Sequence, residues 1–211
     1  MTKNIDQLIV NLSSEPKPAR KAQHPAVLFI TWFIGACIYV GLLVALHYTP
    51  RPDLAHKLMQ PLFLGEFVTL ILLSATTSLS ATILSFPDLY QKRWIALLPI
   101  AVFALFVLVI FLEWLGDRMP MPQHGMDCCA EITLAAMPPA LWMFARIRRM
   151  APVHPQLAGS CAVLSSFSIG ALVLRIAEPT DSIPHLIVWH YLPMIGIGIM
   201  GLWLGRKIFK W

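Results

Sequence analysis

Residues 95–115 read IALLPIAVFALFVLVIFLEWL, an apolar run whose single ionisable side chain, Glu113, stands near its end. A helix needs about 20 residues to cross the ~30 Å hydrocarbon layer of a bilayer, so this run predicts a transmembrane helix. Runs of similar length predict five more spans: 25–47, 62–85, 128–146, 157–178 and 184–205. The sequence therefore predicts an all-α polytopic membrane protein, built as a bundle of six transmembrane helices.

The composition of the chain excludes a soluble globular protein. Of its 211 residues, 57% are hydrophobic and 13% are charged, and the mean hydropathy is +0.69. A soluble fold of 23.6 kDa cannot bury that much apolar surface. The net charge of +5 comes from basic residues that flank the spans beside lipid headgroups, so it indicates no direct binding of nucleic acid.

Lys and Arg are distributed unevenly between the two sides of the predicted spans. Twelve lie on the side of the two termini and of the connections after spans two and four. The other side holds four: Arg51, Lys57, Arg118 and Arg175. Short segments rich in Lys and Arg remain in the cytoplasm, so both termini are predicted to be cytoplasmic. We expect three parts: a cytoplasmic N-terminal segment (1–24), the bundle (25–205) and a basic cytoplasmic tail (206–211).

Residues 4–12, NIDQLIVNL, predict a short amphipathic helix in the N-terminal segment. Its apolar stripe has the spacing i, i+3, i+4 and i+7: Ile5, Leu8, Ile9 and Leu12. A helix this short is unstable alone in water, so the stripe needs a partner. Interfacial helices usually carry Lys or Arg on the polar face, whereas this one carries Asp6, Gln7 and Asn11. The lipid interface, a cytoplasmic protein and the bundle's own loops all remain open as partners.

Polar and ionisable residues of the spans gather near the predicted outer face. They stand at the outer ends of spans two to six: Glu66, Glu113, Cys128, Cys129, Glu131, Arg175, Glu178, His185 and His190. A charge at the centre of a span is typical of an ion or proton path, and its absence from the sequence argues against a transporter or channel. Three interpretations remain open: interfacial residues with Arg175 paired to a carboxylate, a redox-sensing thiol site, or a transition-metal site of Cys, His and carboxylate.

Known catalytic motifs are absent from the sequence. It contains no G-x-S-x-G, no P-loop, no H-E-x-x-H and no Rossmann glycine pattern. The spacing of its cysteines and histidines matches no closed zinc motif. The sequence therefore predicts a non-enzyme without a bound cofactor, and it leaves the identity of any metal unknown.

Several short strings, in this order and at these distances, resemble the NrsF-like family of six-span bacterial membrane proteins. In the N-terminal half they are DQLIVNL (6–12), PKPARKAQHP (16–25), RPDL (51–54) and PLFLGE (61–66). In the C-terminal half they are CCAEI (128–132), PPALW (138–142), RIRRMAP (146–152), EPTDS (178–182) and VWHYLPMIGIGIMGLWLGRKIFKW (188–211). The resemblance covers essentially the whole chain.

This resemblance implies an anti-sigma factor of the inner membrane. Such a protein holds an extracytoplasmic-function-type sigma factor at the cytoplasmic face and releases it on envelope, metal or oxidative stress. The apolar stripe of the N-terminal helix is then the candidate surface for the sigma factor. A small six-span transporter or channel-like protein is the alternative.

The resemblance also implies one cysteine at the start of span four and another after span five. In this chain Cys129 occupies the first position, with Cys128 beside it, and Glu178 occupies the second. A switch made of two paired cysteines is therefore not expected here. The candidate sensing residues are Cys128, Cys129, Glu131, Arg175, Glu178 and His190.

Overall fold

The computed structural model describes residues 5, 7, 9, 10, 13, 23–87, 94–117, 119, 125–150 and 152–209. Within these residues the regular structure is helical, and six helices are long and apolar enough to cross a membrane. They are α1 (Pro25–Leu46), α2 (Pro61–Leu84), α3 (Ile95–Gly116), α4 (Met126–Ile147), α5 (Pro155–Ala177) and α6 (Ile183–Ile208). Their ends lie within about three residues of the predicted limits, so the all-α fold with six spans is confirmed.

Proline residues mark where helices begin and also occur inside helices. Pro25 begins α1 and Pro155 begins α5, positions at which the missing N–H of proline has no intrahelical partner to lose. Pro138 and Pro139 stand inside α4, and the helix continues past both. The indole N–H of Trp32 on α1 donates to the carbonyl oxygen of Pro139 at 3.2 Å, which joins α1 to α4.

Helix α5 forms the centre of the bundle and packs against α2, α4 and α6. In its most apolar stretch 78% of the residues are buried, against 17% in α1 and in α3, so those two helices lie at the periphery. The buried face of α5 contains the small residues Ser165, Ser166 and Gly170. Helices in hydrocarbon associate through close packing, and small side chains allow the neighbours of α5 to approach it.

Helices α5 and α6 meet with their backbones in contact. A Cβ atom added to Gly159 of α5 would lie 2.5 Å from the carbonyl oxygen of Gly201 on α6. A Cβ atom added to Gly201 would lie 2.8 Å from the Cα atom of Ser160. Because these obstacles are backbone atoms rather than flexible side chains, the crossing requires glycine.

Contacts between the connections show which helix ends lie together. Arg51 after α1 binds Asp181 after α5, and Asp117 after α3 accepts a hydrogen bond (2.6 Å) from the backbone N–H of Ile183 in α6. We call this the acidic end, after its carboxylates: Asp53, Glu66, Glu113, Asp117, Glu178 and Asp181. The opposite, basic end carries these cations: Arg146, Arg148, Arg149, Arg206 and Lys207.

Helix α6 is not wound uniformly. Six of its residues, Leu186–Tyr191, form a π-helix between two α-helical segments. Such π-turns inside longer helices are frequent at functional sites. The α-helical winding then continues to Ile208, so residues 206–208 of the predicted tail belong to α6.

The N-terminal helix is described in part. Ile5, Ile9 and Val10 are helical, and all three are exposed. Leu8 and Leu12 of the predicted stripe lie outside the described residues. The two described residues of the stripe, Ile5 and Ile9, are therefore not buried against the bundle.

Candidate functional site at the acidic end

Four side chains with metal-ligating or nucleophilic atoms converge at the acidic end of the bundle. Cys128 comes from the first turn of α4, and Glu178 directly follows α5. His185 and His190 come from the first turns of α6. One ligand atom from each of the four lies within 4.8 Å of all the others. We call these four residues the acidic-end cluster.

The Glu178 carboxylate is the centre of this cluster. Its Oε1 atom lies 3.6 Å from the Cys128 thiol and 3.5 Å from Nε2 of His185. Its Oε2 atom lies 3.1 Å from Nε2 of His190. The carboxylate therefore bridges α4 and α6 from the end of α5.

The π-helical segment explains how both histidines join the cluster. Residues five apart on an α-helix point roughly 140° away from each other, so His185 and His190 would face different neighbours. A π-helix instead pairs residue i with residue i+5, and the centres of these two imidazole rings lie 5.4 Å apart. The local winding of α6 thus creates a face with two histidines.

Both imidazoles are buried although they are polar. His185 is 2% exposed and His190 is fully buried. The distances to Glu178 are short, but within the described residues the nitrogen atoms of both rings form no hydrogen bond of good geometry. An unsatisfied buried polar group costs about 1–3 kcal/mol. A ligand that satisfied these nitrogens would remove that cost, which favours a binding site over residues that merely reach water.

The donor atoms of the acidic-end cluster suit a transition metal ion such as Zn²⁺. Thiolate, imidazole and carboxylate all bind zinc, at bond lengths of about 2.0–2.3 Å. A tetrahedral site with those bond lengths places its ligand atoms about 3.3–3.8 Å apart. Two of the separations at Glu178 are 3.5 and 3.6 Å. The Cys128 thiol is also a group that an oxidant can modify, so metal binding and oxidation are both chemically available.

A buried arginine holds the loop that contains Glu178. The side chain of Arg51 is 1% exposed and donates to the carboxylates of Asp53 and Asp181 at 2.7–2.9 Å. It also donates to the carbonyl oxygen of Glu178 at 3.3 Å. Although burial alone would raise the pKa of Asp181, hydrogen bonds from Arg51 and Lys57 hold that pKa well below its usual range. The connection between α1 and α2 therefore positions the central carboxylate of the cluster.

A second charged network lies beside the cluster. Arg175 of α5 forms a two-point ion pair with Glu66 of α2, in which Nε and Nη2 each lie 2.8 Å from a carboxylate oxygen. Both side chains are buried, and the Tyr191 hydroxyl donates to Glu66. Tyr191 follows His190 directly in the π-helix, so the same turn contributes to the cluster and to the network.

Of the six predicted sensing residues, the structure brings three into the cluster: Cys128, Glu178 and His190. Cys129 is half-buried and lies outside it, because adjacent residues of a helix point about 100° apart. Glu131 is exposed and lies outside the cluster, and Arg175 belongs to the neighbouring network.

Sequence reasoning did not select His185 for the site, nor Arg51 and Asp181 as its support. The i, i+5 spacing of His185 and His190 is not a same-face spacing in an α-helix, so helical periodicity does not signal it. Arg51 and Asp181 stand 130 positions apart. The signal available in the sequence was that Arg51 lies in the string RPDL and Asp181 in the string EPTDS, and both strings resemble the family.

Comparisons with known proteins assign the chain to a family. The model of the NrsF family, "Negative regulator of sigma F", matches residues 12–211. The chain is 26% identical to the anti-sigma-F factor NrsF of Caulobacter vibrioides over 98% of this chain and 97% of that relative, and 25% identical to the probable anti-sigma-F factor NrsF of Azospira oryzae over 92% of each. No solved structure matches the chain. Because the family model spans nearly all of its residues, the chain belongs to the NrsF family of negative regulators of sigma F.

Proposed function

We propose that the chain is an anti-sigma factor of the bacterial inner membrane that holds an extracytoplasmic-function-type sigma factor at the cytoplasmic face. The observation that carries this proposal is the family match over residues 12–211 of a chain with six candidate membrane spans. Both relatives named above are called anti-sigma-F factors, one of them with the qualifier probable. A regulatory role also agrees with a sequence in which known catalytic motifs are absent.

In this proposal the basic end of the bundle faces the cytoplasm. The twelve Lys and Arg residues of that side favour this orientation. Residues 1–24 and 206–211 are then cytoplasmic, and residues 25–205 form the membrane bundle. The acidic-end cluster faces the compartment outside the inner membrane, where it can meet metal ions or oxidants.

The N-terminal helix is the proposed contact with the sigma factor. Its stripe of Ile5, Leu8, Ile9 and Leu12 would bind in an apolar groove of the partner, as amphipathic helices do. The exposure of Ile5 and Ile9 supports this role, because neither side chain is buried against the bundle.

The acidic-end cluster is the proposed sensing site. A metal ion bound by Cys128, Glu178, His185 and His190, or oxidation of the Cys128 thiol, would change charge and packing between α4 and α6. Helix α6 runs from this cluster to the basic end and contacts the backbone of α5 through Gly201. Because packed helices move as rigid elements, a displacement at the π-helical turn would be carried to the cytoplasmic face and release the sigma factor.

Affinity purification from gently solubilised membranes tests the function. We expect a sigma factor to co-purify with the wild-type chain, and its absence would contradict the anti-sigma function. Leu8→Asp with Leu12→Asp should lose the sigma factor while the chain stays in the membrane, because burying two carboxylates in an apolar groove costs several kcal/mol. Gln7→Asp with Asn11→Asp adds the same two charges to the polar face and is the matched control.

Two outcomes distinguish a failure of the proposed N-terminal contact from a failure of the anti-sigma function. If the sigma factor still co-purifies with both double variants, the N-terminal helix is excluded as the contact, but the anti-sigma function still stands. Loss with both variants would show that added negative charge, rather than the apolar stripe, disrupts the complex.

A further inference from the structure

Helix α3 leaves a deep apolar groove between itself and α6. It packs along α2 and contacts α6 at the first turn, Ile183–His185, and through Phe106, whose ring centre lies 4.8 Å from that of Tyr191. Towards the basic end a cavity of about 730 Å³ lies between α2, α3, α5 and α6, and a second cavity of about 280 Å³ lies between α3 and α6 towards the acidic end. Phe103 of α3 and Ile195 of α6 line both cavities, so the two adjoin, and we call them together the α3–α6 groove.

The walls of the larger cavity are helix faces with a regular apolar pattern. On α6 the lining residues have the spacing i, i+3, i+4 and i+7: Ile195, Gly198, Ile199 and Leu202. On α5 the same spacing recurs: Leu157, Ser160, Cys161 and Leu164. The side towards the bilayer is open, because Leu97 and Ile100 of α3 and Ile199 of α6 are all exposed. The groove therefore opens sideways onto hydrocarbon.

Residues at the basic end of the groove suit an anionic headgroup. Trp94 and His154 line this end, and tryptophan is enriched at the level of lipid headgroups. Arg206 is exposed and follows Leu202 by four residues, so it lies one turn further along the same face of α6. The apolar groove thus ends where cationic and interfacial side chains begin.

We propose that the α3–α6 groove binds one phospholipid with an anionic headgroup, whose acyl chain lies in the groove and whose headgroup lies beside Arg206. The groove is lined by apolar side chains and opens sideways onto hydrocarbon, so an acyl chain of the bilayer can enter it along its length. Apolar cavities also exclude water. The acyl chains of the surrounding bilayer are the apolar groups at the opening. This proposal rests on the membrane fold and is independent of the anti-sigma function.

Photolabelling in vesicles tests the site. The chain is reconstituted in equal parts of phosphatidylglycerol and phosphatidylcholine, with a trace of either lipid bearing a diazirine on its acyl chain, and adducts are mapped by mass spectrometry. We expect adducts to concentrate on groove residues such as Phe103 and Ile199, and the phosphatidylglycerol probe to label them more than the phosphatidylcholine probe does.

Two pairs of variants separate the groove from ordinary boundary lipid. Ile199→Trp puts an indole in the groove and should lower groove labelling several-fold, whereas Ile34→Trp, at an exposed position of α1, should leave it unchanged. Arg206→Gln should lower the preference for phosphatidylglycerol about fivefold, the factor for one cation near an anionic surface. Lys207→Gln should not, because the Lys207 ammonium lies over the Trp203 ring, which does not line the groove.

The results that would overturn the proposal are specific. Labelling that is spread evenly over α1 and the groove, or equal labelling in the two Trp variants, would show a layer of ordinary boundary lipid only. Equal labelling by the two probes would contradict the anionic headgroup. The Arg206 substitution lies at an exposed position at the end of α6, so this part of the test does not depend on how well the Ile199 variant folds.

Discussion

Replacing Glu66 by glutamine should destabilise the protein strongly, because it removes the nearer of the two carboxylates that pair with a buried guanidinium; the other, Asp181, lies 3.5 Å from Arg175. The Glu66 side chain is 1% exposed and the Arg175 side chain is 3% exposed. Removing one partner of a buried ion pair costs about 3–5 kcal/mol. The glutamine amide oxygen can still accept a hydrogen bond from Arg175, so we expect the lower part of this range, about 3 kcal/mol.

Thermal unfolding in detergent, followed by helical circular dichroism, measures the effect. In a protein of this size each kcal/mol lowers the melting temperature by about 2–4 °C, so Glu66→Gln should lower it by about 6–12 °C. Asp53→Asn is the matched control, because Asp53 also pairs with an arginine but its side chain is 44% exposed. Asp53→Asn should lower the melting temperature by less than Glu66→Gln does.

A second comparison tests whether Tyr191 acts on the same carboxylate. Tyr191→Phe removes one hydrogen bond to Glu66, and hydrogen bonds to charged groups contribute about 1.5–3 kcal/mol. Because both changes act on one interaction, the loss in the double variant should be smaller than the sum of the single losses. Additive losses, or a Glu66→Gln shift no larger than that of Asp53→Asn, would refute this account of the network.

Three further predictions concern the orientation of the chain, the proposed metal site and the crossing of α5 and α6. Reporter fusions after residues 50, 90, 122, 152 and 182 should alternate between outside and inside, beginning outside; a cytoplasmic signal at 50 or 182 would contradict the orientation. Cys128→Ser and His185→Ala should each weaken Zn²⁺ binding by the purified chain, measured by calorimetry, whereas Cys129→Ser should not; equal losses for the two cysteines would contradict the cluster. In thermal unfolding, Gly201→Ala should destabilise the chain by about 1–3 kcal/mol through overpacking. Gly196→Ala should be neutral or stabilising, because nothing lies within 4 Å of the added Cβ.

The six helices could be predicted from the sequence because a bilayer imposes a length on them. A run such as residues 95–115 has too few polar groups for water and enough residues to cross the hydrocarbon. Backbone groups in hydrocarbon must be satisfied within the segment, so a long apolar run there forms a helix. The family resemblance was also readable at this level, and the match over residues 12–211 confirms it.

Which residues join the acidic-end cluster depends on the direction in which their side chains point. Adjacent Cys128 and Cys129 are equivalent in the sequence, and the rotation of α4 against its neighbours decides that Cys128 faces Glu178. His185 joins the cluster through a π-helical turn, which the apolar pattern of α6 does not signal. Rotation and winding follow from packing between helices that are distant in the chain.

By itself, the sequence determined the number of spans, their limits, the charge difference between the two ends and the family. Only the tertiary structure decided that Arg51 holds the Glu178 loop, that Arg175 pairs with Glu66, and that α3 leaves a groove beside α6. The physical reason is that length and hydrophobicity act on each segment separately in the bilayer. Ion pairs, glycine crossings and grooves exist only where two segments meet.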